Sequence, residues 1–485
     1  MNKEFLLNIL FLLAVNLLIK PLYVFGVDLK VQNEVSNYGL YFALMNFSYI
    51  FQIFSDLGIY QYNNRKVAQQ EYLFGKYFPH LLSLKGGLSI VFVFLSLGTA
   101  LLIGYEGQAL YLLSFLLLNQ IFITFTFFFR SNLSGLQQYR LDSFLSVLDK
   151  LLMLLLALPL LWGPWKIDFQ IEYLVYIQTA AFGVTSSVAF VACRHFLGQP
   201  LRLSWKTPLL RAILKQSLPF SLVVLLMSIY TRMDAVMIER LLHDPITREG
   251  VIQGNRYAAA YRLLDAVNMV GYLFAGLLLP MFARMIQEKK DIVPLLSLSC
   301  RMMLVLTLSF SVAVCFHATP ILQLLYKDYH PEMVPILILL ITGFNAIGVI
   351  HIIGTLLTAN GNLKVMNSVF VMGILLNLTS NYFLILNYGA WGAAFSTLIT
   401  QSFVAVAELW LAKYFFQLAW RASFWLQLSL FVVGIVGINV FLLGLELKWW
   451  WISFVGAGLL SLLWAFLTQL LQPRLILSTF KTKEF

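Results

Sequence analysis

Long apolar runs, separated by short polar segments, recur along the whole chain. A helix needs about 20 predominantly apolar residues to cross the hydrocarbon core of a bilayer. The pattern therefore predicts an all-α, polytopic membrane protein. Fourteen such runs lie near residues 5–25, 38–59, 79–103, 109–129, 143–163, 171–193, 216–239, 256–282, 294–319, 333–358, 365–386, 391–413, 424–445 and 449–471.

The composition supports a protein whose solvent is lipid. Of 485 residues, 60% are hydrophobic and 11% are charged, and the mean hydropathy is +0.82. A soluble domain would carry about a quarter charged residues. The net charge of +11 would indicate nucleic-acid binding in a soluble chain. Here the position of the cations matters more than their sum, and we predict no nucleic-acid partner.

The loop charges predict an orientation. If the N-terminus is cytoplasmic, the cytoplasmic segments carry 20 Lys and Arg residues and the opposite loops carry seven. Cytoplasmic loops of membrane proteins are enriched in Lys and Arg. We therefore expect both termini in the cytoplasm and an even number of spans.

A loose internal repeat predicts two lobes. The segment from Tyr38 to Arg65 resembles the segment from Tyr257 to Arg284, at an offset of 219 residues. Two six-helix lobes in the same orientation would be related by a pseudo-two-fold axis along the membrane normal, with a cavity between them. The predicted division is an N-lobe at 1–193, a basic cytoplasmic linker at 194–215, a C-lobe at 216–413, and the last two spans with a cytoplasmic tail at 414–485.

Charges inside predicted spans are candidate functional residues because each costs several kcal/mol in a bilayer. Acids stand near most of these cations in sequence, so each pair is either a structural salt bridge or part of a binding site. Four cations on different helices favour a positively charged cavity, which suits an anionic head group such as phosphate. The candidate cations are Lys20, Lys150, Arg232 and Arg262, and the candidate charge partners are Asp149, Asp234 and Asp265.

A second polar group lies on the eleventh and twelfth spans. Asn377 and Asn381 are one turn apart and share a helix face, and Thr397 follows on the next span. These oxygens either hydrogen-bond between helices, which we favour, or bind a cation together with Asp234. No other cofactor or metal is predicted, and Na⁺ or H⁺ is the candidate coupling ion.

Four further polar residues receive structural interpretations. Lys85 and Arg301 lie near the inner interface, where long side chains can reach the head groups. His317 and His351 are lone histidines in apolar surroundings, so we favour a structural role over proton transfer.

Several segments together resemble the oligosaccharide and polysaccharide flippases of the multidrug/oligosaccharidyl-lipid/polysaccharide exporter superfamily. Each segment is degenerate alone, but their order and spacing span the second to the twelfth predicted helix. The resemblance is carried by Asp56–Gly58 with Arg65, by Arg232–Ile238, by Tyr257–Leu263 with Pro280, by Gly354–Lys364 and by Tyr388–Ala394.

The resemblance implies a function as well as a fold. It implies a 14-helix flippase of the bacterial inner membrane, which moves a polyprenyl-diphosphate-linked oligosaccharide outward by alternating access. It also implies that Arg232 and Arg262 face the diphosphate. Relatives that handle lipid-linked peptidoglycan precursor use sodium at an acid on span 7 with polar groups on spans 11 and 12, a pattern that Asp234, Asn377 and Thr397 fit. Asn381 stands where those relatives can have an aspartate, so sodium coupling stays open.

Two other functions remain open at this stage. A multidrug or metabolite antiporter of the same fold would favour unpaired interior acids, and Glu408 is the only deep candidate. A membrane polysaccharide polymerase or ligase would need a large outer loop, and neither such a loop nor a catalytic or nucleotide-binding motif is found. We therefore predict a monomeric transport protein without enzymatic activity, with a lipid-linked oligosaccharide as substrate and a glycan polymerase as a candidate partner.

Overall fold

Helices account for nearly all of the described chain. The computed structural model describes residues 19, 21–60, 63, 73–136, 138–163, 168–197, 204–205, 207–244, 246–418, 422–446 and 448–471. The first helix, α1, runs over Leu29–Glu34 and continues a π-helical turn at Val24–Asp28. It therefore extends about nine residues beyond the predicted end of the first span at residue 25.

The remaining helices follow the order of the apolar runs. They are α2 (Tyr38–Phe51, with a 3₁₀ turn at Gln52–Ser55), α3 (Leu73–Leu102), α4 (Gln108–Gly135), α5 (Tyr139–Leu161), α6 (Ile171–Leu197), α7 (Thr207–Leu241), α8 (Glu249–Gln287), α9 (Val293–Phe316), α10 (Ala318–Leu325), α11 (Met333–Ala359), α12 (Leu363–Phe416), α13 (Ala422–Gly444) and α14 (Trp450–Leu467).

The helix α12 contains two spans. Its 54 residues are interrupted at Gly389, which has φ 58° and ψ −137°. A residue with a side chain would be strained in this conformation. At Gly392, a Cβ atom would lie 2.1 Å from the carbonyl oxygen of Leu384. The two glycines therefore permit a sharp turn between the segments 363–388 and 390–416, where the predicted spans 11 and 12 meet.

The protein is an all-α, polytopic membrane protein. Eleven helices in the described residues are long and apolar enough to cross a bilayer. Counting α12 twice and adding α2 gives thirteen of the fourteen predicted spans, and most of the first predicted span, 5–25, lies outside the described residues. Large apolar side chains such as Phe94 and Leu102 are 74% and 89% exposed, as expected where helices face lipid.

The chain divides into two compact units, Met1–Asn255 and Arg256–Phe485. Aromatic rings of α3 and α4 fill much of the core of the first unit, where Phe78 stacks on Phe128 at 5.6 Å between centroids. In the second unit, buried residues of α9, α13 and α14 form a cluster that includes Val305, Phe431 and Ala465. The predicted lobe boundaries at 193/194 and 215/216 stay a prediction.

Candidate functional site

Lys150 on α5 lies between a carboxylate and two aromatic rings in the first unit. Its Nζ atom is 3.3 Å from Asp149 Oδ2, and it lies 4.9 Å and 5.0 Å from the ring centroids of Tyr23 and Phe182. Its side chain is 24% exposed. An ammonium group has three donors. Lys150 can therefore bind an anionic ligand while it keeps Asp149 as a partner.

A hydrogen-bonded group orients Tyr23, one of the two aromatic rings that lie against Lys150. Gln178 of α6 donates from Nε2 to the hydroxyl oxygens of Tyr41 and Tyr23, at 2.7 Å and 3.3 Å. All three side chains are buried. Because the amide binds both phenols, the aromatic ring that contacts the Lys150 ammonium is held in one orientation.

Arg232 on α7 faces α2. Its Nη1 atom donates to Asn46 Oδ1 at 3.2 Å, and its guanidinium carbon lies 5.5 Å from the ring centroid of Tyr49. Arg232 therefore has an amide and an aromatic ring of α2 as neighbours inside the first unit.

A cavity of about 340 Å³ begins at Tyr49 and extends along α2. Tyr60 and Phe127, whose ring centroids are 5.9 Å apart, provide part of its aromatic wall. Carboxylate, amide and hydroxyl groups line the rest of it. Aromatic faces combined with such groups are suited to a polar ligand with apolar faces, such as a sugar ring. The cavity is lined by Tyr49, Gln52, Ile53, Asp56, Tyr60, Thr124, Phe127, Val224 and Ser228.

The prediction that Lys85 reaches the head groups is wrong. Its side chain is completely buried, and Nζ lies 2.6 Å from Asp56 Oδ1. Nζ also donates to the Ser55 carbonyl at 3.4 Å, and the rings of Phe125 and Phe128 lie within 6 Å of it. A buried ammonium needs such a partner because its desolvation costs several kcal/mol. The ion pair therefore fixes the Asp56 carboxylate at the edge of the cavity.

In the second unit, the predicted polar residues make hydrogen bonds with buried partners. Asn381 Nδ2 donates to Asn377 Oδ1 at 3.1 Å, and the hydroxyls of Tyr257 and Thr397 are 3.3 Å apart. Ser396 donates to the Asn377 carbonyl at 3.3 Å. All of these residues are buried. The group is neutral and hydrogen-bonded, as the structural interpretation of these residues predicts.

The other predicted site residues are distributed over both units. Asp234 is buried in the first unit, whereas Arg262 and Asp265 are partly buried in the second. Lys20 lies outside the described residues. A cavity that contains all four cations, and a cation site that joins Asp234 to Asn377, Asn381 and Thr397, therefore stay predictions.

A charged group at the end of α7 was not predicted from the sequence. The buried carboxylate of Glu239 lies 3.9 Å from Arg240 and 3.6 Å from the His243 ring. Arg240 also lies over the Tyr105 ring at 4.6 Å and donates to the Gly104 carbonyl at 3.2 Å. Burial and the neighbouring Glu239 carboxylate raise the pKa of Tyr105 well above its usual value. These contacts connect α7 to the loop between α3 and α4.

The sequence of the first unit decides the family. Residues 5–286 match the model of the family described as "Polysaccharide biosynthesis protein", and this match covers more than half of the chain. The chain belongs to the polysaccharide biosynthesis protein family. A search of curated proteins finds no match for this polysaccharide biosynthesis protein.

Solved structures of transporters have the same fold as this polysaccharide biosynthesis protein. The lipid II flippase MurJ in its inward closed conformation is 16% identical, with a TM-score of 0.74 over 96% of this chain and 100% of that chain. An inward-facing multidrug resistance MATE family transporter is 16% identical, with a TM-score of 0.59 over 83% and 96%. A MOP superfamily transporter from Pyrococcus furiosus, described as having a binding pocket of reversed polarity, is 14% identical, with a TM-score of 0.54 over 83% of this chain and 93% of that chain.

Proposed function

We propose that this protein moves a polyprenyl-diphosphate-linked oligosaccharide from the inner to the outer leaflet by alternating access. The observation that carries the proposal is Arg232, whose guanidinium carbon lies 5.5 Å from the ring of Tyr49 in the cavity wall, together with Lys150 as a second interior cation of the same unit. The protein is a membrane member of a polysaccharide biosynthesis family, and MurJ and MATE transporters have its fold.

In this proposal, Lys150 and Arg232 contact the diphosphate. Charge-assisted hydrogen bonds from an ammonium and a guanidinium are about twice as strong as neutral ones, and a diphosphate offers several acceptor oxygens. Asp149 and Asn46 hold the two cations in place while the substrate is absent. The bound diphosphate therefore adds contacts to both cations. After the diphosphate is released, each cation still has its protein partner.

The cavity along α2 would receive the first sugar. Tyr60 and Phe127 offer aromatic faces, and Gln52 and Asp56 offer an amide and a carboxylate to sugar hydroxyls. The ion pair with Lys85 holds the Asp56 carboxylate in one orientation. The polyprenyl tail would remain in lipid, so the protein would have to enclose only the polar part of the substrate.

The surroundings of the protein follow from this function. We infer a multi-pass protein of the bacterial inner membrane with both termini in the cytoplasm, because the positive loop charges favour that orientation. We infer a monomer that forms no covalent bond with its substrate. A glycan polymerase would then use the lipid-linked product on the outer side.

The test is a flipping assay in liposomes with a fluorescent polyprenyl-diphosphate oligosaccharide. The Arg232→Ala and Lys150→Ala variants should each flip the lipid at least about tenfold more slowly, because a hydrogen bond to a charged group contributes about 1.5–3 kcal/mol. Lys364→Ala is the matched control, since this exposed lysine should leave the rate unchanged.

Each alternative function gives a different result in the same assay. Unchanged rates in both Arg232→Ala and Lys150→Ala would overturn the proposed binding site. Transport of a cationic dye but not of the lipid would identify an antiporter. A product lipid with a heavier glycan, detected by mass spectrometry, would identify a polymerase or ligase.

A further inference from the structure

Glu408 is a buried acid in the second half of α12, the segment 390–416. Its relative exposure is 0%, and neither carboxylate oxygen has a hydrogen-bond partner among the described residues. The buried carboxylate of Glu239, in contrast, contacts Arg240 and His243. Glu408 is therefore not explained as a member of a structural salt bridge.

The surroundings of Glu408 are shaped by Gly354 of α11. A Cβ atom at position 354 would lie 3.1 Å from both Oε1 and Oε2 of Glu408. The carboxyl group thus lies against bare backbone, in space that a side chain would take. The helices contact closely along this line, because Gly343 of α11 also lies against Leu398.

In the part of the chain that the structure describes, no charged group has a contact with the Glu408 carboxyl group. Helix α11 packs closely against α12, and the first half of α12 also lies close to this segment, since Gly373 lies against Val404. The titratable residue of α11 is His351, whose Nε2 lies 2.7 Å from Asn268 Oδ1. Lys364, at the start of α12, and Lys413, five residues beyond Glu408, are both exposed. In the described residues, none of these groups has a contact with the Glu408 carboxyl group.

The energetic cost decides the protonation state. An ionised carboxylate in an apolar interior costs several kcal/mol or more, whereas a neutral carboxylic acid avoids most of that cost. Within a membrane span no bulk water can solvate the ion. Glu408 therefore carries a proton in the conformation described here.

We propose that Glu408 is a proton-binding site, and that its protonation couples a proton gradient to the conformational cycle of the protein. The carboxyl group is enclosed here, so it must exchange its proton in a conformation in which α11 and α12 separate. The enclosed conformation therefore binds the proton more tightly than the conformation in which Glu408 reaches water. Coupling requires such a difference in proton affinity between two conformations.

The position of Glu408 along α12 suggests where the proton enters. Glu408 lies eight residues before the end of the helix at Phe416, or roughly 12 Å at 1.5 Å per residue. On the same helix face, the next buried polar side chain is Gln401, two turns away, and the apolar Val404 lies between them. The shorter route from Glu408 to water therefore leads to the end at Phe416.

Proton binding can be measured without transport. Carbodiimides react with protonated carboxyl groups in apolar surroundings, and mass spectrometry of peptides locates the product. We expect dicyclohexylcarbodiimide to label Glu408 in the full-length protein, and labelling to fall several-fold as the pH is raised. The control variant Glu446→Gln, which removes an exposed acid of the same unit, should keep the label at Glu408.

Transport gives a second readout that rests on the proposed function. The Glu408→Gln variant imitates the protonated acid, so it should fold and still equilibrate the lipid across liposomes without a gradient. An imposed pH gradient should accelerate flipping by the wild-type protein and have no effect on Glu408→Gln. Glu446→Gln should respond like the wild-type protein.

Three results would overturn this inference. The first is that the wild-type protein is not labelled at Glu408 at any pH, and the second is that sodium prevents the labelling while pH does not change it. The third is that the Glu408→Gln variant responds fully to the pH gradient. The inference and the proposed function fail separately. Labelling of Glu408 with no lipid flipping would reject the flippase, and flipping without labelling would reject the proton site.

Discussion

The two units of this protein place different polar groups in their interiors. In the first unit, Lys85 contacts Asp56 and Lys150 contacts Asp149, so charge is balanced by charge. In the second unit, Asn377 and Asn381 bind each other through neutral amides, and the buried acid Glu408 has no hydrogen-bond partner among the described residues. The comparison indicates that a site with permanently charged donors for an anion and a site that changes its charge are built from different groups.

The physical reason lies in the cost of changing a charge. A cation that keeps a carboxylate partner stays charged throughout the cycle, so its remaining N–H groups can donate charge-assisted hydrogen bonds to a diphosphate at any stage. An acid without a partner has no such compensation, so its protonation must follow its exposure to water. Bare backbone at Gly354 lies against this acid and supplies no charge that would fix its protonation state.

The largest effect is expected when the charge balance of the first unit is broken. Lys85→Met should lower the free energy of unfolding by about 3–5 kcal/mol, because it leaves the Asp56 carboxylate without its partner. Lys85→Met combined with Asp56→Asn should recover most of this loss, since the asparagine oxygen can still accept the backbone N–H of Tyr60. Denaturant unfolding in detergent measures both changes.

An exposed ion pair provides the control for that experiment. Lys290 lies 3.0 Å from Glu288 with a side chain that is 43% exposed, so Lys290→Gln should not change the unfolding midpoint measurably. If Lys85→Met were as stable as Lys290→Gln, the interior of the first unit would not depend on charge balance, and the comparison between the units would lose its basis.

A smaller effect is expected from the neutral group of the second unit. Ser396→Ala removes a hydroxyl that lies 2.5 Å from Ser380 Oγ and donates to the Asn377 carbonyl. Hydrogen bonds between membrane helices average about 0.6 kcal/mol, so the loss should stay below about 1 kcal/mol. The same denaturant titration measures it, with Ser187→Ala as the control at an exposed position. A loss as large as that of Lys85→Met would show that the neutral group is as essential as the ion pair.

Most of the fold follows from the sequence because the bilayer imposes a simple rule. A span needs about 20 apolar residues, so runs of that length identify helices such as α4, α9 and α13. The short helix α10, Ala318–Leu325, was not predicted, because the ninth predicted span ends at residue 319 and the remaining six residues are too few to form a span. The extension of α1 to Glu34 was also not predicted, because Lys30 and Glu34 interrupt the apolar run as the charges of a loop would. In the structure these two residues form an i,i+4 salt bridge, which stabilises the helix.

The site is less predictable because its contacts join distant parts of the chain. Sequence reasoning identified Lys150 with Asp149, which are adjacent, and the amides one turn apart at Asn377 and Asn381. It missed the pair of Lys85 with Asp56, which are 29 residues apart on different elements. In the sequence, Asp56 stands out only as part of a segment that resembles the flippase family.

The smallest effect is expected at an exposed charge of the first unit, in the loop between α7 and α8. Asp244 Oδ1 accepts the backbone N–H of Ile246 at 2.8 Å and that of Thr247 at 3.3 Å. These hydrogen bonds lower the pKa of Asp244 below its ordinary value of 3.8. Their stabilisation is therefore complete above pH 3.8 and is lost only as the pH falls through the lowered pKa.

At neutral pH, Asp244→Ala should accelerate hydrogen–deuterium exchange of the amides of Ile246 and Thr247 several-fold, because their acceptor is removed. Asp244→Asn should accelerate exchange less, since its side-chain oxygen can still accept. Lipid flipping and global unfolding should not change in either variant, because this charge is exposed and acts only within its loop. A change in global stability comparable to that of Lys85→Met would mean that burial does not separate structural charges from local ones in this protein.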